Sequence, residues 1–219
     1  MSRLYSTLVD GAAPFWEQYT QHDFVRQIGD GSLPAEQFEH YLKQDYVFLI
    51  HFARAFGLAA FKSRTLGEIK QSTDMLSGII NVELDLHISY CKQWGIDVAS
   101  LESTVESTAN MAYTRFVLER GLAGDLVDLN VALAPCIIGY AVSARWLQDQ
   151  DFLVKESNPY AEWIEMYASD DYQSLAMAHQ GAINDIPWPD EQRLNDIQKT
   201  FTSAVRLEID FWQMGLDLR

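Results

Sequence analysis

The chain has 219 residues, 48% of them hydrophobic and 12% aromatic, and carries a formal net charge of −15 from 31 acidic against 16 basic side chains. This size fits one medium domain whose core needs neither disulfide nor metal, and the six Trp and ten Tyr argue against disorder. The charge argues against contact with phosphate backbones, which rests on clustered Lys and Arg, and disfavours anionic membrane surfaces.

Helical periodicity runs through almost the whole chain, and strand alternation is nearly absent. The stretch IGDGSLPAEQFEHYLKQDYVFLIHFARAFGLAAF opens on a Gly-Asp-Gly turn, with Ser32 as N-cap, Pro34 in the first helical turn and Glu36 nearby. Its apolar positions recur at Phe38, Tyr41, Leu42, Phe48, Leu49, Phe52 and Phe56. A second helix covers about Leu66 to Trp94 and stops at Gly95. SLESTVESTANMAYTRFVLERG reads as a turn and a helix ending at Gly121, and GDLVDLNVALAPCIIGYAVSARWLQDQ as another entered through Gly124 and Asp125. PYAEWIEMYAS and DDYQSLAMAHQGAIND give two shorter helices, and the last runs from Asp190 or Glu191 to Leu216 after the PWP turn. No repeat, low-complexity tract or linker divides the chain. The expectation is a single all-α domain over residues 1–219, a bundle of about seven or eight packed helices.

Cys91 and Cys136 lie too far apart in sequence to form a disulfide framework or a metal-type pair, and Cys91, late in its helix, is given no role. The opening MSRLYSTLVD contains no apolar core of signal-peptide length. The longest uncharged run, Leu129 to Ala144, holds Asn130 and Pro135 and falls short of the roughly 20 apolar residues needed to cross a bilayer. A cytoplasmic protein without membrane or nucleic-acid partners is expected.

The informative residues break apolar stripes. In the first long helix Asp45 stands between Tyr41/Leu42 and Phe48/Leu49, where a core residue belongs. In the last helix Glu208 stands between Ala204/Val205 and Phe211/Trp212. Leu129, Leu133, Cys136, Tyr140, Ala144 and Leu147 share one face of a third helix, which puts Cys136 and Tyr140 one turn apart. Carboxylates are rarely buried unless partnered, and two on inward stripes of separate helices point to a polar pocket. There an acid has its pKa raised, which suits general acid work near neutral pH, whereas a thiol stays protonated unless something favours the thiolate. On periodicity alone Cys136 also reads as a small core hydrophobe, and Tyr113, Tyr140 and Tyr167 as core tyrosines. Pro135 reads as a kink that frees a carbonyl.

Glu83 and His87, at i and i+4, are the candidate metal ligands. A di-iron bundle site wants Glu-x-x-His pairs from two helices, and none of His22, His40, His51, His87 and His179 lies three residues after a Glu. A structural Glu83–His87 pair is the reading. IGDG is no phosphate-binding loop, lacking a Lys and a preceding strand.

GDGSLPAEQFEHYLKQDYVFL, AYT at Ala112–Thr114, LAPCIIGY and EIDFWQMG occur in one order, with compatible spacing, over nearly the whole chain. Together they resemble the TenA family, the aminopyrimidine aminohydrolases also called thiaminase II. The resemblance implies a haem-oxygenase-like helical fold, a homotetramer, and no metal or cofactor. It implies hydrolysis of 4-amino-5-aminomethyl-2-methylpyrimidine to the 5-hydroxymethyl compound in thiamin salvage, with thiamin itself a further substrate of many members. Cys136 places the chain in the cysteine-containing branch. By motif position Cys136 is the nucleophile that adds to the pyrimidine ring, Glu208 the acid that protonates the departing group and helps activate water, and Asp45 the partner of the aminopyrimidine edge. Tyr113 and Tyr140 would contact the ring and the cysteine region, Tyr167 would line the pocket, and Phe211 would stack near the ring. Where many relatives place a tyrosine three residues after the aspartate, this chain has Phe48, which retains stacking and loses a hydroxyl contact.

Two readings of other classes stand beside it. One is a regulator or binder that holds an aminopyrimidine or thiamin without turnover; the other is a di-iron or haem-type oxygenase on the same fold, which the ligand spacing opposes.

Overall fold

The computed structural model describes residues 4–219, and residues 1–3 of the N-terminal stretch quoted above lie outside the described residues. Regular structure is helical throughout the described residues, in agreement with the expected all-α class. In chain order the helices are α1 (Leu4–Gly11), α2 (Ala13–Thr20), α3 (Asp23–Asp30), α4 (Ala35–Lys62), α5 (Leu66–Gly78), a π-helical turn (Ile79–Glu83), α6 (Leu84–Gln93), α7 (Val98–Glu102), α8 (Thr108–Ala123), α9 (Leu126–Gln148), α10 (Ala161–Ala168), α11 (Asp170–Asn184) and α12 (Glu191–Asp217). The number exceeds the expected seven or eight because three short helices precede residue 31 and short α7 precedes α8.

Local chemistry sets several boundaries. α3 ends on Gly31 in the left-handed conformation (φ 74°), a turn that a side chain would strain. The helix expected to follow a Ser32 N-cap, with Pro34 in its first turn, begins only at Ala35, and Ser32 is not its cap; instead the Ser32 amide donates to the Asp30 carboxylate at 2.9 Å. Thr65 caps α5 with Glu68 in a reciprocal capping box. The helix expected over Leu66–Trp94 is interrupted by the π turn, and α8 runs two residues past Gly121. α9 passes Pro135 without ending.

By compactness the chain divides into two units: Met1–Pro34 with Asn130–Gln213, and Ala35–Leu129 with Met214–Arg219. In the first, α1 packs on α2 and α11, and α10 on α3 and α11. Its core is a run of aromatics in which half-buried Trp16 stacks on buried Phe201, Phe24 on Trp212, and Trp212 meets Tyr19 and Tyr140. Such ring pairs add about 0.5–1.5 kcal/mol each beyond burial of their area. Asn158 ties the loop before α10 to α3: its amide nitrogen lies 2.9–3.1 Å from the carbonyls of Ile28, Gly29 and Val154, and its oxygen accepts from the Tyr160 amide.

In the second unit α4 is the central element, packed by α5, the π turn, α6, α7 and α8. Buried Gln44 fixes its register: Nε2 donates to the Val105 carbonyl at 2.9 Å, and Oε1 accepts from the Ser107 amide at 3.0 Å. Asn110 completes the network by donating to the Gln44 carbonyl at 2.8 Å. Asp45 is the next residue along, so this network also sets where Asp45 stands on α4.

With 23 residues and a window of mean hydropathy 1.7, α9 is long and apolar enough by composition to cross a membrane, contrary to the count from the uncharged run alone. The helix extends that run at both ends. A core helix of a globular protein has the same composition, and 72% of the window is buried inside the protein.

Candidate active site

In the first unit the site residues proposed from sequence lie on α9, α10 and α12. From Val131 to Ala141 every residue of α9 is buried except Cys136, which keeps intermediate exposure. A thiol held as a core filler would be as buried as its neighbours; this one remains accessible within a stretch otherwise closed to water. Tyr140, one turn further on, packs its ring 4.8 Å from that of Tyr167 on α10 and 4.9 Å from that of Trp212 on α12. Trp163 joins them, 4.8 Å from Tyr167 and 5.9 Å from Tyr140. Glu208 is 1% exposed, and Phe211, three residues on, is buried next to Trp212.

The sequence around Cys136 is shaped by a close approach. The Tyr19 hydroxyl donates to the Pro135 carbonyl at 3.2 Å, and a Cβ at Gly139 would stand 2.1 Å from Tyr19 Cε1. Gly139 is therefore the residue that lets the Tyr19 ring lie against α9 beside the cysteine turn.

In the second unit Asp45 is 7% exposed on α4. Burial pushes its carboxyl up to about 7. The sequence pairing of Glu83 with His87 is replaced by a different contact: His87 Nδ1 stands 3.5 Å from Asp45 Oδ2, and His87 Nε2 lies 2.9 Å from the Leu42 carbonyl. Burial lowers the His87 pKa. Glu83 is raised to about 7, by burial first and then by the charge of Asp45. Cys91 is raised to about 12 in the same way, so its thiol stays protonated. Glu83, His87 and Cys91 follow at four-residue intervals and make one stripe toward Asp45; the sequence reading uses the Glu83–His87 spacing but does not extend it to Cys91. Phe48, one turn beyond Asp45, packs 5.4 Å from the ring of Tyr113 on α8.

The structure thus brings Tyr140 and Tyr167 together in one unit, with Phe211 joined to them through Trp212, and Phe48 and Tyr113 together in the other. Trp163 and Gln44 are the neighbours that sequence reading missed, and His87, read there as the partner of Glu83, stands beside Asp45. Among the described residues no three His, Cys, Asp or Glu side chains group so that they could hold a metal ion. The first unit supplies an accessible thiol beside flat aromatic faces, and the second a buried carboxyl raised to about 7 near the Phe48–Tyr113 pair.

The family model for the TENA/THI-4/PQQC family matches residues 10–218. An uncharacterized protein of Haemophilus influenzae is 42% identical over 212 residues, spanning 96% of this chain and 98% of its own length. The aminopyrimidine aminohydrolase of Halalkalibacterium halodurans is 34% identical over 221 residues, spanning 98% of this chain and 96% of its own. The crystal structure of a TenA family transcription regulator from Silicibacter sp. TM1040 superposes with a TM-score of 0.92 at 40% identity, covering 98% of this chain and 97% of that one. A domain of unknown function with a heme oxygenase-like fold from Shewanella denitrificans, only 12% identical, superposes over 98% of this chain and 92% of its own at a TM-score of 0.75 and so shares the fold.

Proposed function

The chain belongs to the TENA/THI-4/PQQC family, and from that premise we propose that it is an aminopyrimidine aminohydrolase acting in thiamin salvage. The observation that carries this reading is Cys136, the one accessible residue between Val131 and Ala141, one turn from a tyrosine set in an aromatic cluster. The name of the Halalkalibacterium relative supports the reaction class.

In this reading the Cys136 sulfur adds to a carbon of the pyrimidine ring as its S–H proton passes to a ring nitrogen. The C–N bond at the exocyclic carbon then breaks, and the amine leaves as ammonia after Glu208 has supplied a proton. Water gives its oxygen to the exocyclic carbon and its proton back to Glu208. The C–S bond breaks with its electron pair on sulfur, which takes back the ring-nitrogen proton, and the ring and the Cys136 thiol are restored. The sum is 4-amino-5-aminomethyl-2-methylpyrimidine plus water giving the hydroxymethyl compound plus ammonia. Asp45 accepts from the amino edge of the ring, Tyr113, Phe48 and Phe211 offer faces to it, and Tyr140 and Tyr167 wall the cysteine region. Thiamin cleavage, homotetrameric assembly and a cytoplasmic location belong to the same proposal. An assay of turnover on the aminomethylpyrimidine, its N-formyl form and thiamin tests it; release of product from none of the three would overturn it.

The name of the Silicibacter protein favours a second reading, a regulator that binds without turnover. A net charge of −15 disfavours direct contact with nucleic acid. Calorimetric binding of the pyrimidine with no release of ammonia would select this reading over hydrolysis.

A further inference from the structure

Asp45 faces a polar stripe that the reaction outlined above does not use. A backbone carbonyl only accepts, so at 2.9 Å from the Leu42 oxygen the Nε2 of His87 carries the hydrogen. The Nδ1 of a neutral ring then presents a lone pair, 3.5 Å from Asp45 Oδ2. A carboxylate oxygen facing a lone pair is repulsive, so a proton belongs between them. Both side chains are 9% exposed, and separating charge there would cost more than leaving both groups neutral. The shifts already described run the same way, the acid raised and the imidazole lowered. The other titratable groups around the pair are Glu83 and Cys91 on the same stripe and Lys43 on α4. Glu83 near Asp45 further discourages a second negative charge.

We infer that His87 is a positioning and specificity-determining residue: it takes the Asp45 O–H on Nδ1, which leaves Oδ1 as an acceptor for an exocyclic N–H₂ and makes the carboxyl select amino over oxo heterocycles. Held this way, the acid cannot turn its hydroxyl to a ligand carbonyl. A 4-oxo pyrimidine in place of the 4-amino one then meets acceptor against acceptor, which costs about tenfold or more in affinity. The inference rests on the proposed role of Asp45 at the aminopyrimidine edge.

Two measurements test it separately from turnover. In ¹⁵N-labelled protein at pH 6, where Asp45 keeps its proton, the His87 imidazole, assigned by its loss in His87→Gln, is expected as the neutral Nε2–H tautomer. An imidazolium or an Nδ1–H tautomer would overturn the shared proton, whatever the protein's reaction. Calorimetry of 4-amino-5-hydroxymethyl-2-methylpyrimidine and its 4-oxo counterpart then reads specificity. The wild type is expected to favour the amino form by about tenfold or more, and His87→Gln, which keeps one donor and one acceptor, to retain most of that preference. His87→Leu, with native circular dichroism, is expected to bind both within about threefold. Wild-type preference in His87→Leu would overturn the specificity role. If neither pyrimidine binds, the functional reading fails while the tautomer result stands by itself.

Discussion

The Tyr19 hydroxyl donates to the carbonyl of Pro135, the residue before Cys136, and Gly139 leaves the space that lets the Tyr19 ring do so. Gly139→Ala would gain helix propensity worth about 1 kcal/mol and lose more to overpacking, since the ring edge 2.1 Å from the new Cβ belongs to a fully buried side chain. A net loss of about 1–2 kcal/mol is expected, read as a lower Tm, together with reduced turnover. Tyr19→Leu should restore part of the stability lost in Gly139→Ala; additive losses in the double variant would contradict the contact.

Asn158 places one amide group among three backbone carbonyls. Asn158→Ala is expected to cost about 2–3 kcal/mol in chemical denaturation, because buried acceptors lose their donor. Asn158→Asp sets an anion among the same oxygens and should be worse. A milder effect for the aspartate would show that these carbonyls do not govern the site.

Much of this was visible in the chain. Asp45 and Glu208 break apolar stripes, and both are buried where the stripes placed them. Cys136 was harder, because periodicity assigns a face and not its accessibility; only the folded chain distinguishes it from Leu133 and Tyr140. His87 was assigned to Glu83 because local spacing reveals neighbours on one helix, whereas its contact with Asp45 crosses from α6 to α4. The π turn at Ile79–Glu83 escaped because the flanking helices bury little, Ser72 in α5 and Cys91 in α6, so the shift of face has few apolar residues to show it. Helices α1 to α3 are eight residues each, too short for periodicity to stand out.

Asp45 gives stability a pH dependence. Its carboxyl ionises near 3.8 when unfolded and at about 7 when folded, so the folded chain binds the extra proton between those values. Stability therefore falls as pH rises from about 4 to 7, by at most about 4 kcal/mol from this residue, and levels off above. Asp45→Asn, which resembles the protonated acid, should flatten that slope. Glu83, raised to about 7, retains its own contribution in the variant. Identical Tm–pH profiles for the two proteins would contradict the assignment.

Phe48 stands where many TenA-like chains carry a tyrosine, and packs against Tyr113. Phe48→Tyr adds a hydroxyl at the ring edge and is expected to lower KM for the aminomethylpyrimidine by about fivefold with kcat nearly unchanged. A fall in kcat without a change in KM would show that the hydroxyl disturbs the reacting geometry.

Cys136 carries the central claim, and ammonia release from 4-amino-5-aminomethyl-2-methylpyrimidine tests it most directly. Wild-type protein should release ammonia, and Cys136→Ala with native circular dichroism should lose at least about a thousandfold in kcat/KM. Wild-type turnover by that variant would contradict the account.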